Sequence, residues 1–307
     1  MNFTFKQKLN AYLGMSKRNI KVFFRDRSTV FFSILSPLIV LVLYILFLKQ
    51  TYVDVINNQV EGLQGLVTNK DIDTFINLWL LSGILGTSCI TVALNSLTII
   101  VVDKHQKIDY DYNASPISGP IVALSYFTGA FINTLIIGTC ILTVGLVYTS
   151  VIATSYISFS SLIMIYITLI IGCASSNLIM MIVVSFFNSP SGLGAFSGIV
   201  SAAVGFIIGA YMPVSQFDLS IQTIANIIPG SHITSLFRNY LMSGVLDHIN
   251  ESIIGLDGGA FSSTMKELFS FDLNVFSMKL GINQMIIYSL SSIVIFLGLN
   301  ILFYKKS

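Results

Sequence analysis

Charge is the first thing this chain lacks. Asp, Glu, Lys and Arg supply only 10% of its 307 residues, against 54% hydrophobic residues and a mean hydropathy of +0.83. A soluble globular domain carries roughly 25% charged residues, so that class is excluded and the chain reads as an all-α polytopic membrane protein. Cysteine is scarce too. Cys89, Cys140 and Cys173 all fall in apolar stretches, where thiols act as small apolar groups and give no disulfide framework or metal pattern. His105, His232 and His248 are scattered without metal-ligand spacing, which weighs against a membrane-embedded enzyme. No catalytic residue, metal ligand or nucleic-acid partner is expected.

What is present is long hydrocarbon. A membrane-crossing helix needs roughly 20 apolar residues, and six runs approach or exceed that: 30–48, 76–102, 121–148, 156–187, 193–212 and 283–303. The third and fourth are long enough to be tilted, interrupted or extended into water; the patch from Gly172 to Asn177 is expected to loosen the fourth. None of the six contains Asp, Glu, Lys, Arg or His, so no proton relay of the kind that rests on intramembrane ionisable groups is visible. Sodium coupling through hydroxyls and carbonyls stays open, with nothing in the runs selecting it. Their polar residues, Asn95, Asn133, Ser175, Ser176 and Asn177, either join helices by hydrogen bonds or line a passage; Asn95, Asn133, Ser176 and Asn177 are the candidates for lining. In the fifth run Gly194, Gly198, Ala202, Gly205 and Gly209 form a ladder of small residues suited to close helix contact, within the chain or between subunits.

Orientation follows from the loops, because Lys and Arg concentrate on the cytoplasmic side. Eleven of the sixteen basic residues fall before the first run, in the second connection or after the last run, while ten of the fourteen acids fall on the opposite side. Both termini are therefore expected in the cytoplasm of a cell membrane. The first run exceeds a signal-peptide core and lacks a small-residue cleavage pattern, so it reads as a span. Ahead of it, in the segment 1–29, Phe5, Leu9, Tyr12, Leu13, Ile20, Phe23 and Phe24 recur at helical spacing with basic residues between them. Such a helix lies on the inner leaflet; the alternative is a solvated basic tail.

Between the fifth and sixth spans, residues 219–242 are apolar but broken at Pro229 and Gly230, and each half is too short to span. They read as a re-entrant hairpin, either a gate or mere packing, with Arg238 snorkelling to the interface; Pro229, Gly230, Phe237 and Arg238 are its candidate gate residues. Residues 243–282 form a polar outer insertion with a short helix expected near residues 264–269.

Between the second and third spans, 103–120 forms a polar island. It holds Asp103, Lys104, His105, Lys107, Asp109 and Asp111, with Tyr110, and closes in Ala114-Ser115-Pro116-Ile117-Ser118. This ordering, together with the acid-rich segment ending in a Ser-Pro-Ile-Ser turn and the Ile228-Pro229 and Leu236-Phe237-Arg238 hairpin pattern, resembles the permease subunits of type-2 ABC exporters over essentially the whole chain, as a single domain 1–307. The chain departs from that pattern in having Ile108-Asp109-Tyr110-Asp111-Tyr112 where a Glu-rich stretch with Gly-Thr is common. The resemblance implies that Asp103, Lys104, Asp109, Tyr110, Asp111, Ser115 and Pro116 couple to a separate ABC ATPase carrying ATP and Mg, and that a second permease copy or a related permease completes the path, with membrane lipid around both. The chain has no phosphate loop ending in Gly-Lys-Ser/Thr, so it binds no cofactor of its own in the usual way. The expected function is export of an amphipathic or lipid-like substrate, such as a drug, a hydrophobic peptide or a lipid-linked molecule, from a bacterial cell. An ATP-independent carrier or flippase and a membrane-embedded enzyme are the alternatives.

Overall fold

The computed structural model describes residues 4–59, 66–154, 156–253, 258–276 and 278–306. Residues 1–3 of the interfacial segment, the outer acid Glu61, and residues 254–257 (with Asp257) and 277 of the outer insertion lie outside the described residues. The helices are α1 (Phe5–Arg25), α2 (Arg27–Leu43), α3 (Lys49–Gln59), α4 (Asn69–His105), α5 (Ile108–Ala114) and α6 (Gly119–Ile152). They continue as α7 (Phe159–Ser185), α8 (Pro190–Ile207), α9 (Leu219–Ile227), α10 (Pro229–Ile253), α11 (Ala260–Leu268) and α12 (Ile282–Lys306). A small antiparallel hairpin of β1 (Leu273–Val275) and β2 (Met278–Leu280) sits before α12.

Among the described residues, five helices are long and apolar enough to cross a membrane: α4, α6, α7, α8 and α12. The first predicted span falls on α2, which carries Pro37 inside it and passes through a π turn at Tyr44–Leu48 into α3. The helix therefore runs past the predicted end at 48. Tyr52 and Ile56 are buried and Lys49 pairs with Asp73 at 2.9 Å, so the polar segment has partners that keep it helical.

Helix α4 is the axis of the fold. It is apolar on all sides, which suits a helix with no free face, and α2, α6, α7, α8 and α10 surround it. Its 37 residues and the 34 of α6 correspond to about 55 and 51 Å at 1.5 Å per residue, well beyond a hydrocarbon core of about 30 Å. A cluster of Tyr44, Tyr52, Trp79, Phe75, Phe269 and Phe271 welds α3 and α4 to the loop after α11.

Several expectations need correction. The patch Gly172 to Asn177 does not loosen α7, which is continuous; Ser175 donates to the Gly172 carbonyl and Asn177 to the Cys173 carbonyl, so these polar groups are satisfied on the helix itself. The fifth helix stops at Ile207 rather than 212, because Gly209 takes φ +72° and turns the chain. In the predicted hairpin the break falls at Ile228, with Pro229 opening α10, and α10 continues to Ile253. The first eleven residues of the expected insertion are thus part of a buried helix packed on α4, α7 and α12. The short helix expected near 264–269 is α11, beginning at Ala260.

Candidate functional site

The island of 103–120 becomes a corner, a short helix and a second corner. Lys107 adopts φ 60° between α4 and α5, and Ser115 closes α5, its hydroxyl donating to the Tyr112 carbonyl at 2.7 Å while accepting from the Ile117 N–H. Seven residues of α5 therefore sit rigidly between two of the longest helices. Tyr110 is 65% exposed, and Asp111 and Pro116 are also exposed. Asp109 is half-buried, with one carboxylate oxygen enclosed and without a hydrogen-bond partner among the described residues.

Two island residues point inward. Asp103 is buried and accepts a bidentate pair from Arg18 of α1, at 2.6 and 2.7 Å, plus the Tyr126 hydroxyl of α6 at 2.6 Å. Its carboxylate is therefore an internal anchor rather than a surface offered to a partner, which corrects the place given it among exposed coupling residues. The same bond holds the Arg18 guanidinium well above its ordinary pKa, while burial beside this cluster raises that of Tyr112. Lys104 donates to the Ser185 carbonyl at the end of α7 at 2.8 Å. Helices α1, α4, α6 and α7 are thereby linked through polar contacts on the last turn of α4. The sequence reading missed Arg18 and Tyr126. A signal existed: Ser16 and Asn19 interrupt the α1 apolar periodicity, and both are buried, with Asn19 donating to the Ser125 carbonyl of α6 at 3.2 Å.

On the opposite face Arg238 does not snorkel. It is fully buried, donates to the carbonyls of Ser270 and Gly209, and stands 5.2 Å over the Trp79 ring. It ties α10 to α4, to the turn after α8 and to the loop after α11. Phe237 is buried beside it, and Pro229 and Gly230 are buried at the start of α10.

The candidate lining residues separate. Asn133 donates to Ser96 at 2.7 Å and Asn177 to Thr134 at 3.1 Å, bridging α6 to α4 and α7 to α6. Ser176 is buried, and none of these three borders the large cavity. Asn95 does. A cavity of about 1080 Å³ opens between α2 and α8, with Phe32, Leu35 and Ile39 on one wall, Gly194, Gly198 and Ala202 on the other, and Asn95, Thr98, Ser197 and Ser201 as its polar points. A β-carbon added at Gly194 or Gly198 would meet nothing within 4 Å. The ladder thus faces open space at Gly194 and Gly198 instead of a neighbouring helix, while the Tyr211 ring covers Gly205 and Val214 stands against Gly209. Among the described residues no group of three or more His, Cys, Asp or Glu could hold a metal ion.

Residues 10–242 match the family described as ABC-2 type transporter. No curated protein matches the chain.

Proposed function

Because the chain belongs to the ABC-2 type transporter family and is the membrane-spanning permease subunit of such a transporter, we propose that it works in ATP-driven export. Family membership implies an ABC ATPase as partner; the finer reading is that this ATPase, with ATP and Mg, docks on α5 from the cytoplasm. One observation carries it: α5 is fixed at both ends, by the Lys107 corner and the Ser115 turn, between two helices that each exceed the bilayer. A push on the exposed Tyr110 and Asp111 is then delivered to α4 and α6 along their axes rather than absorbed in a loop. The ionic anchor at Asp103 recruits α1 into the same movement. Tyr110, Asp111 and Pro116 present the contact surface, with Asp109 half-buried beside them.

The substrate path in this reading is the cavity between α2 and α8, closed on its open side by a second permease. Phe32, Leu35 and Ile39 supply apolar contact and Asn95, Thr98 and Ser201 a few polar anchors, which suits an amphipathic or lipid-like molecule. Movement is outward, with both termini in the cytoplasm of the cell membrane. The test is to purify the chain with its candidate ATPase and measure ATP hydrolysis while varying compounds. Co-purification and compound-stimulated hydrolysis are expected from the wild type; an ATPase that fails to bind the wild-type chain overturns the reading.

A further inference from the structure

Helix α1 is held in one rotational setting. Ser16, Asn19 and Phe23 form its buried face, and Gly129 of α6 lets that face approach closely, since a β-carbon there would press on Asn19. Arg18 is fixed to Asp103 on one flank. The setting decides what the other flank does. Leu13, Lys17, Ile20 and Lys21 overhang a groove of about 480 Å³ whose far wall is Thr128 and Ile132 of α6, and the Tyr12 and Thr128 hydroxyls close one end at 2.8 Å. Leu13, Ile20 and Ile132 give it apolar walls, and two exposed lysines one helical turn apart stand at its rim.

The height of this groove follows from helix length. Thr128 lies nine residues into α6, about 14 Å from its start at 1.5 Å per residue, and the remainder to Ile152 covers about 36 Å, close to one hydrocarbon thickness. With Ile152 set at the far hydrocarbon boundary, the groove mouth stands at the headgroup level, its apolar walls on the hydrocarbon side and its ammonium groups on the water side. A free phosphate would find no use for the Leu13, Ile20 and Ile132 walls; a neutral lipid would leave the two lysines unmatched.

We propose that the α1–α6 groove is a specific seat for one anionic phospholipid of the inner leaflet, its phosphate held by Lys17 and Lys21 and the upper part of an acyl chain laid against Leu13, Ile20 and Ile132. The seated lipid braces α1 from the side opposite the Arg18–Asp103 anchor, so the lipid also stiffens the root of α5. This inference rests on the same membrane placement as the exporter reading but needs no ATPase.

The test uses the full chain alone, in nanodiscs of phosphatidylcholine with phosphatidylglycerol, followed by release into detergent and mass measurement of the intact protein with its retained lipid. One phosphatidylglycerol per chain is expected on the wild type. Lys17→Gln with Lys21→Gln, two exposed changes, should lower its retention about 30-fold, at about fivefold for each lysine near a lipid surface. Lys6→Gln with Lys8→Gln, equal in charge and outside the groove, should leave it unchanged, and glycerol phosphate in excess should not displace the lipid. Equal loss in both double variants means diffuse attraction to the leaflet and overturns the seat. So does displacement by glycerol phosphate, or full retention in the Lys17/Lys21 variant. Because no ATPase is present, these outcomes leave the exporter reading to its own test.

Discussion

At the scale of single residues, the chain places its few ionic contacts where helices must not slip. Asp103 is buried and its charge is matched by Arg18 and the Tyr126 hydroxyl. Removing one member of such a contact leaves the other desolvated and unpaired. Arg18→Gln should therefore destabilise the chain by about 2 kcal/mol, the scale of hydrogen bonds to a charged group, and adding Asp103→Asn should recover part of the loss; thermal unfolding in detergent reads both. Arg238 behaves differently, because it serves two carbonyls and an aromatic face and, among the described residues, pairs with no acid. Arg238→Lys should lose about 2 kcal/mol despite keeping the charge, since an ammonium cannot reproduce the planar fork, and equal midpoints for the two proteins would contradict that role. Neither contact was legible in the sequence. Arg18 and Asp103 are 85 positions apart, and Arg238 reads as an interfacial cation until Gly209 and Ser270 are brought to it by the fold.

At the scale of elements, what sequence made visible was hydrocarbon length. The runs for α4, α6, α7 and α12 lie within the observed helices or overhang them by only a few residues, because about 20 apolar residues have few other uses. Helix α10 was legible only in its first half, which reads as one arm of a hairpin ending at 242; its run on to Ile253 was hidden in a stretch that reads as a polar insertion. In that first half Ser231, Thr234, Ser235 and Asn239 each donate to a backbone carbonyl, at Ala225, Gly230, Phe271 and Ser235 respectively, so these four side chains are accommodated at little polar cost. Gly244 marks how closely α10 is clamped: a β-carbon there would overlap the Tyr156 carbonyl between α6 and α7. Gly244→Ala should cost about 1–3 kcal/mol through this overlap, whereas Gly194→Ala, on open α8, should be neutral or mildly stabilising as a helical Gly→Ala change. A similar gain at both positions, measured by thermal unfolding, would show that helix propensity rather than packing governs these sites.

At the scale of the whole molecule, the open ladder of α8 and the exposed end of α5 are two of the faces that a single chain leaves uncovered. Gly198→Leu introduces bulk where nothing lies within 4 Å, so the separate chain should stay within about 0.5 kcal/mol of wild type or become firmer. A pair of permeases joined through α8 should separate, which light scattering of the purified protein reads; an intact pair would remove α8 from that interface. Asp109→Lys with Asp111→Lys should release or uncouple the ATPase while membrane insertion is unchanged, and unaltered binding with normal hydrolysis would remove those acids from the docking role. The composition made the class of molecule plain from the start, but the uncovered faces required knowing which side of each helix its neighbours had taken. The overhang of α4 and α6 beyond the bilayer has a last consequence. It holds α5 about 14 Å beyond the level of Thr128 on α6, a stand-off longer than the screening distance of about 10 Å at 0.1 M salt. Any partner at α5 consequently answers to the ions of bulk water rather than to the lipid surface, so ionic strength becomes a handle that loosens the motor while the partly buried Arg18–Asp103 anchor is screened far less.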